Sequence, residues 1–126
     1  MRGLSLLIAL IPSLALAEGA PPMTDGERAA FGAAVSACWM VDPASPAAGV
    51  SVTVAFALSP EGRVIDNRVE MLTHSDAAPE AVELAFQAAR RAVLICQVDG
   101  YALPAGKYEH WRDVRMNFTA VEALPQ

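Results

Sequence analysis

Between positions 50 and 58 the chain alternates without a break. Val50, Val52, Val54, Phe56 and Leu58 fall on one side, and Ser51, Thr53, Ala55 and Ala57 on the other. A period of two sends successive side chains to opposite faces, so this segment predicts a strand with one buried face. Ser59-Pro60-Glu61-Gly62 follows as a turn: proline pre-sets φ, and glycine supplies a position where φ can be positive. Arg63–Leu72 then predicts the second strand of a hairpin. Ile65, Val69 and Met71 would face the core, and Asp66, Arg68 and Glu70 water.

Two other segments carry the helical period. Thr24-Asp25-Gly26-Glu27 has the form of a capping box and opens a helix running to about Trp39, with Phe31, Val35 and Cys38 on its apolar stripe beside Ala34. Asp42-Pro43 and Ser45-Pro46 end it. Pro79 to Cys96 is the second helix. Its stripe is Val82, Phe86, Ala89, Val93 and Cys96, with Arg90 and Arg91 off it, and Asp76 is its expected N-cap. After a loop containing Gly100, Pro104 and Gly106, Trp111–Phe118 predicts a last strand with Val114, Met116 and Phe118 inward. Trp111, Asp113, Arg115 and Asn117 lie on its other face.

The element order is α-β-β-α-β. The second helix returns the chain, so the third strand runs parallel to the second and pairs antiparallel with the first. The expected fold is α+β: a three-stranded antiparallel sheet of order 2-1-3 with both helices packed on one face.

The N-terminus changes the picture of where this domain works. Arg2 precedes an apolar run of about 14 residues, and Ala15-Leu16-Ala17 has the small-x-small form of a cleavage site. A membrane-spanning helix needs roughly 20 residues. The expectation is a signal peptide over 1–17, cleaved after Ala17, and export to the periplasm. A flexible lead-in (18–23), one domain (24–119) and a frayed tail (120–126) follow. The alternative at this point is that the N-terminal segment stays as an anchor.

The full chain has 126 residues and a net charge of −5. Loss of Arg2 with the signal leaves 14 acidic against 8 basic residues, a net charge near −6. No basic stripe is present to neutralise phosphates, which excludes nucleic acid as an expected partner.

Cys38 and Cys96 are the only cysteines. An even count in a small exported protein reads as a disulfide, and each residue extends an apolar stripe. Neither C-x-x-C nor H-x-x-x-H spacing occurs, and the two histidines, His74 and His110, are far apart, so no metal site is expected. Asp66, Glu70, Glu80, Glu83 and Asp113 each fall where a solvated face would put a carboxylate. His74-Ser75-Asp76 reads as a helix cap. No nucleophile elbow or phosphate loop is present. The expectation is no enzyme, no cofactor and no small-molecule substrate.

The last strand is a sheet edge in this topology. Trp111, Arg112, Asp113, Arg115 and Asn117 are its candidate contact residues. Such an edge either accepts a strand from a partner or is guarded by its charges, and both readings stand at this level.

Cys38-Trp39, Pro60-x-Gly62, Ala88-Ala89-Arg90-Arg91-Ala92 ending at Cys96, Leu103-Pro104, Lys107-Tyr108, Trp111 and Asn117-Phe118 follow one another in an order that resembles the C-terminal periplasmic domain of TolA, within the broader TolA/TonB C-terminal class. The resemblance spans about Met23 to Phe118. It implies a non-enzymatic binding module for cell-envelope partners such as TolB and Pal, which colicins and filamentous phage coat proteins also exploit. It also implies a disulfide at the matching cysteines, and it favours strand addition at the last strand. The chain departs from the class in lacking an alanine/lysine-rich helical arm before Thr24 and in its cleavable leader. A TonB-like energy transducer contacting outer-membrane receptors is the alternative, and it requires a retained anchor.

Overall fold

Val50, Val52, Val54, Phe56 and Leu58 are all buried, while Thr53, Ala55 and Ala57 between them are partly open. In the computed structural model, which describes residues 19–120, this segment is β1 (Val52–Ala57). It is the centre of a three-stranded sheet of order β2-β1-β3, in which β2 (Glu70–His74) and β3 (Asp113–Phe118) both run antiparallel to it. The expected α+β topology is the one observed. The expected signal peptide and most of the tail lie outside the described residues.

Helix α1 (Asp25–Ser36) opens on the capping box. The Glu27 N–H donates to Thr24 Oγ1 (3.0 Å), and the Thr24 N–H donates to Glu27 Oε1 (2.9 Å). Regular helix ends at Ser36 rather than near Trp39. The chain tightens there, with Cys38 N–H donating to Val35 O and Trp39 N–H to Ser36 O. The lead-in before α1 is held on the body: Met23 is buried, and a ring nitrogen of His110 meets the Ala20 carbonyl at 2.8 Å.

Helix α2 (Pro79–Cys96) has the expected bounds and lies across β1. Its inner face is built mainly of alanines, with Val82 and Val93, so the helix axis can come close to the sheet. A short 3-10 turn, Pro46–Gly49, packs Ala47 and Ala48 against α2. Asp76 does not cap α2. The N-cap is Ala78, which makes no side-chain cap bond, and Pro79 starts the helix, where its missing N–H costs nothing.

The second strand is shorter than the alternation suggests. Ile65–Asn67 forms a 3-10 turn in which Asp66 (φ 58°) and Asn67 (φ 52°) are left-handed, a conformation these two residue types tolerate. The detour overturns the expected facing of Ile65, which is 44% exposed while Val64 before it is buried; Val69 is buried as expected. The Val64 N–H is satisfied by the buried side chain of Gln97, whose Oε1 accepts it at 2.7 Å. A bulge lies between the Thr53–Thr73 and Val54–Met71 pairs, so β2 is irregular along its length.

Cys38 and Cys96 are joined, with Cα atoms 5.8 Å apart, linking the ends of the two helices. Near the same end of α2, Gly62 (φ 81°) and Gly100 (φ 124°) bring two loops into backbone contact. A Cβ at Gly62 would collide with the Tyr101 carbonyl, and one at Gly100 with the Glu61 carbonyl. The Tyr101 hydroxyl donates to the Val93 carbonyl at 2.6 Å, and burial pushes its pKa up to about 12.

The disulfide closes a separation of 58 residues. Constraining the unfolded chain over such a loop contributes about 4 kcal/mol. Reductant should therefore lower the melting temperature by roughly 15 °C or more for a domain this size. A scan showing no shift with the bond demonstrably reduced would contradict this.

Candidate functional site

Strand β3 reaches its place through a set of anchors in the loop before it. Ala105–Lys107 is a 3-10 turn, followed by a single helical turn, α3 (Tyr108–Trp111). The Tyr108 hydroxyl donates to the Leu58 carbonyl at 2.7 Å, tying this turn to the end of β1. Lys107 Nζ contacts Glu27 Oε1 at 2.7 Å, tying it to α1. That hydrogen bond from Lys107, with the one from the Thr24 backbone, holds the Glu27 carboxyl below the usual carboxylate range.

Trp111 belongs to this anchoring set. The expectation placed it on the outward face of the last strand as a contact residue. Instead it closes the helical turn, is only 4% exposed, donates its indole N–H to the Pro104 carbonyl (2.8 Å) and meets Tyr108 edge-on at 4.8 Å. The Arg112 N–H bonds to the Tyr108 carbonyl, which keeps residues 108–111 helical and delays the strand to Asp113. Arg112 is exposed and lies beside Asp113, its Nε 3.2 Å from Asp113 Oδ2.

The register of β3 determines which backbone groups it leaves free. Its six residues pair in unbroken register with β1, from Ala57–Asp113 to Val52–Phe118. Just beyond, the Leu58 N–H donates to the Arg112 carbonyl at 2.7 Å. Hydrogen-bonded pairs alternate along an antiparallel ladder. Val114, Met116 and Phe118 therefore turn their N–H and C=O groups toward β1, and Asp113, Arg115 and Asn117 turn theirs away. Among the described residues nothing pairs with those outward groups.

The two edges of the sheet are unequal. β2 has five residues, a bulge and a left-handed turn behind it, features that blunt an edge. β3 has six residues in regular register. Side chains of Asp113, Arg115 and Asn117 stand on the face of the sheet away from the helices. There Thr53 Oγ1 lies 3.4 Å from Asn117 Oδ1, and Ala55 and Ala57 form the floor of a trough of about 660 Å³. Arg68 and Glu70 line its far wall, 3.7 Å apart.

On the helix side of β3, cover is incomplete. Val114 and Met116 are only half-buried, and they share a cleft of about 240 Å³ with Met23, Phe31 and Trp111. Sequence periodicity identified the inward direction of Val114 and Met116 but not this opening. Its signal was Met23, an apolar residue isolated before the N-cap of α1.

The other chemistry-bearing residues are dispersed. His74 Nδ1 lies 2.8 Å from the Ser75 carbonyl, and Glu83 accepts from Gln87 one turn on. Among the described residues no three His, Cys, Asp or Glu side chains gather as a metal-binding group. No family model matches this sequence, and no curated protein matches it.

Placing Trp111 inside rather than outside gives contrasting expectations for two neighbours. Trp111→Ala should cost about 3–5 kcal/mol of stability. Arg112→Ala should change it by no more than about 0.5 kcal/mol. Denaturant melts of the two variants measure both; a tolerated Trp111→Ala would return Trp111 to the surface.

Proposed function

We propose that this domain is a non-enzymatic, periplasmic protein-binding module of the cell envelope that takes a strand from its partner onto the free edge of β3. The observation that carries the reading is the regular edge itself, in which Asp113, Arg115 and Asn117 present unpaired backbone groups along an unbulged strand. Unpaired edges template strand addition, and main-chain hydrogen bonds supply affinity without requiring a deep pocket. The opposite edge is bulged and short, which singles out β3.

Export is supported by the form of residues 1–17, and the joined cysteines suit an oxidising compartment. The motif order resembling TolA points to partners of the TolB and Pal kind, proteins of the periplasm or attached to the outer membrane. In this role the domain acts as a soluble counterpart of the anchored TolA domain, in an accessory or competing capacity.

Proline at position 115 tests the mode of binding. The Arg115 N–H points away from β1, so proline there removes an edge donor without removing a ladder bond within the sheet. Arg115→Pro should abolish capture of Tol–Pal components from an envelope extract while the disulfide-bonded domain still melts cooperatively. Undiminished capture by a folded Arg115→Pro variant would contradict strand addition. If that variant misfolds, competition by a partner-derived peptide N-methylated at alternate amides replaces it, and equal competition by methylated and unmethylated forms would be contradictory.

A further inference from the structure

The two faces of β3 offer an incoming strand different surroundings. Resting on the strand-addition reading above, this asymmetry specifies what the strand must carry. A strand adding antiparallel, like every pairing in this sheet, bonds to the outward groups of Asp113, Arg115 and Asn117. Residues directly opposite one another share a face. The three incoming residues opposite Asp113, Arg115 and Asn117 therefore lie on the side of the trough, and the two opposite Val114 and Met116 lie on the side of the helices.

On the helix side those two residues meet the cleft of about 240 Å³, whose floor is Met23, Phe31, Val114 and Met116 and whose rim carries Arg28 and His110. Apolar side chains there cover the half-buried Val114 and Met116 and complete a partly open core edge, whereas polar ones lose water over that apolar floor and meet hydrogen-bonding groups only at the Arg28–His110 rim. On the trough side the demand is electrostatic. Arg115 has no ion-pair partner among the described residues, and Asp113 has only its neighbour Arg112. Opposite charges facing one another across a strand pair stabilise it, and like charges destabilise it.

We infer that the partner of β3 is an extended segment reading, from its N-terminus, polar–apolar–acidic–apolar–basic, with the acidic residue opposite Arg115 and the two apolar residues in the cleft. A second copy of this chain fits the edge less well. Centring β3 against its own copy on Arg115 sets two arginines face to face. Shifting the centre to Val114 relieves that clash but sets Arg112 of the copy opposite Met116. Shifting it to Met116 keeps the apolar face but leaves Arg115 opposite the uncharged Asn117 and Asp113 opposite Thr119, so neither charge is met.

Fluorescence anisotropy with the mature, disulfide-bonded chain tests the pattern. Three labelled peptides with identical Gly/Ser flanks are compared: a Thr-Leu-Glu-Leu-Lys core, its charge-exchanged form Thr-Leu-Lys-Leu-Glu, and its apolar-deleted form Thr-Ser-Glu-Ser-Lys. The first should bind at least about tenfold tighter than either other, and Arg115→Glu, an exposed change, should reverse the preference between the first two. Equal binding of all three overturns the pattern while leaving strand addition standing. Failure of all three to bind also overturns it. Strand addition itself falls with it only if capture of envelope proteins is likewise insensitive to Arg115→Pro. Measurable self-association by sedimentation that Arg115→Glu abolishes would instead assign the edge to a second copy.

Discussion

Burying one face of β1 leaves this chain few arrangements. Val52, Val54 and Phe56, with Val50 and Leu58 at the ends, must all lose water on the same side, and α2 is the element that covers them. The alanines of α2 allow that close approach, and α1 with the 46–49 turn closes the flanks. Because β1 is central, its neighbours on either side are edges. Covering a three-stranded sheet with two helices also leaves the outermost strand incompletely roofed, and the half-buried state of Val114 and Met116 follows from that. The exposed edge and the cleft are thus consequences of how little chain is available to cover β1.

A core this small relies on fixed joints, and these gather where the C-terminus of α2 meets the hairpin. The disulfide ties α1 to α2. Gln97 accepts the N–H of Val64, a residue bridged to Leu58, and Tyr101 satisfies the Val93 carbonyl in the last turns of α2. Gly62 and Gly100 allow the two loops to touch through their backbones. A second group, Lys107, Tyr108 and Trp111, fastens the approach to β3. Cys38, Cys96, Gly62, Tyr108 and Trp111 therefore have structural work, and the edge left open along β3 is made of backbone groups and the exposed side chains of Asp113, Arg115 and Asn117.

The elements with strong periods were legible in the sequence. β1, the bounds of α2, the capping box of α1 and the cysteine pair all rest on spacing, which reports facing directly. What was illegible depended on partners distant in sequence. Alternation across 63–72 continued into the turn by chance. Asp66 and Asn67 tolerate the left-handed detour that turns Ile65 outward, and the buried side chain of Gln97, 33 residues beyond Val64, accepts the Val64 N–H beside it. Trp111 occupied an outward-facing position by strand parity, yet the turn at Tyr108 breaks that parity. The edge status of β3 followed from topology, while the cleft beside it needed Met23 and Phe31 to be placed in space.

The account of function reduces to a claim about three peptide groups. In the free domain the amide protons of Val114, Met116 and Phe118 are bonded to β1, and those of Asp113, Arg115 and Asn117 face outward. Residue-resolved hydrogen exchange by NMR, with and without a bound envelope partner, reads both sets at once. The account predicts slow exchange at 114, 116 and 118 throughout, with fast exchange at 113, 115 and 117 that becomes slow on binding. Outward amides that stay fast in a saturated complex would contradict it.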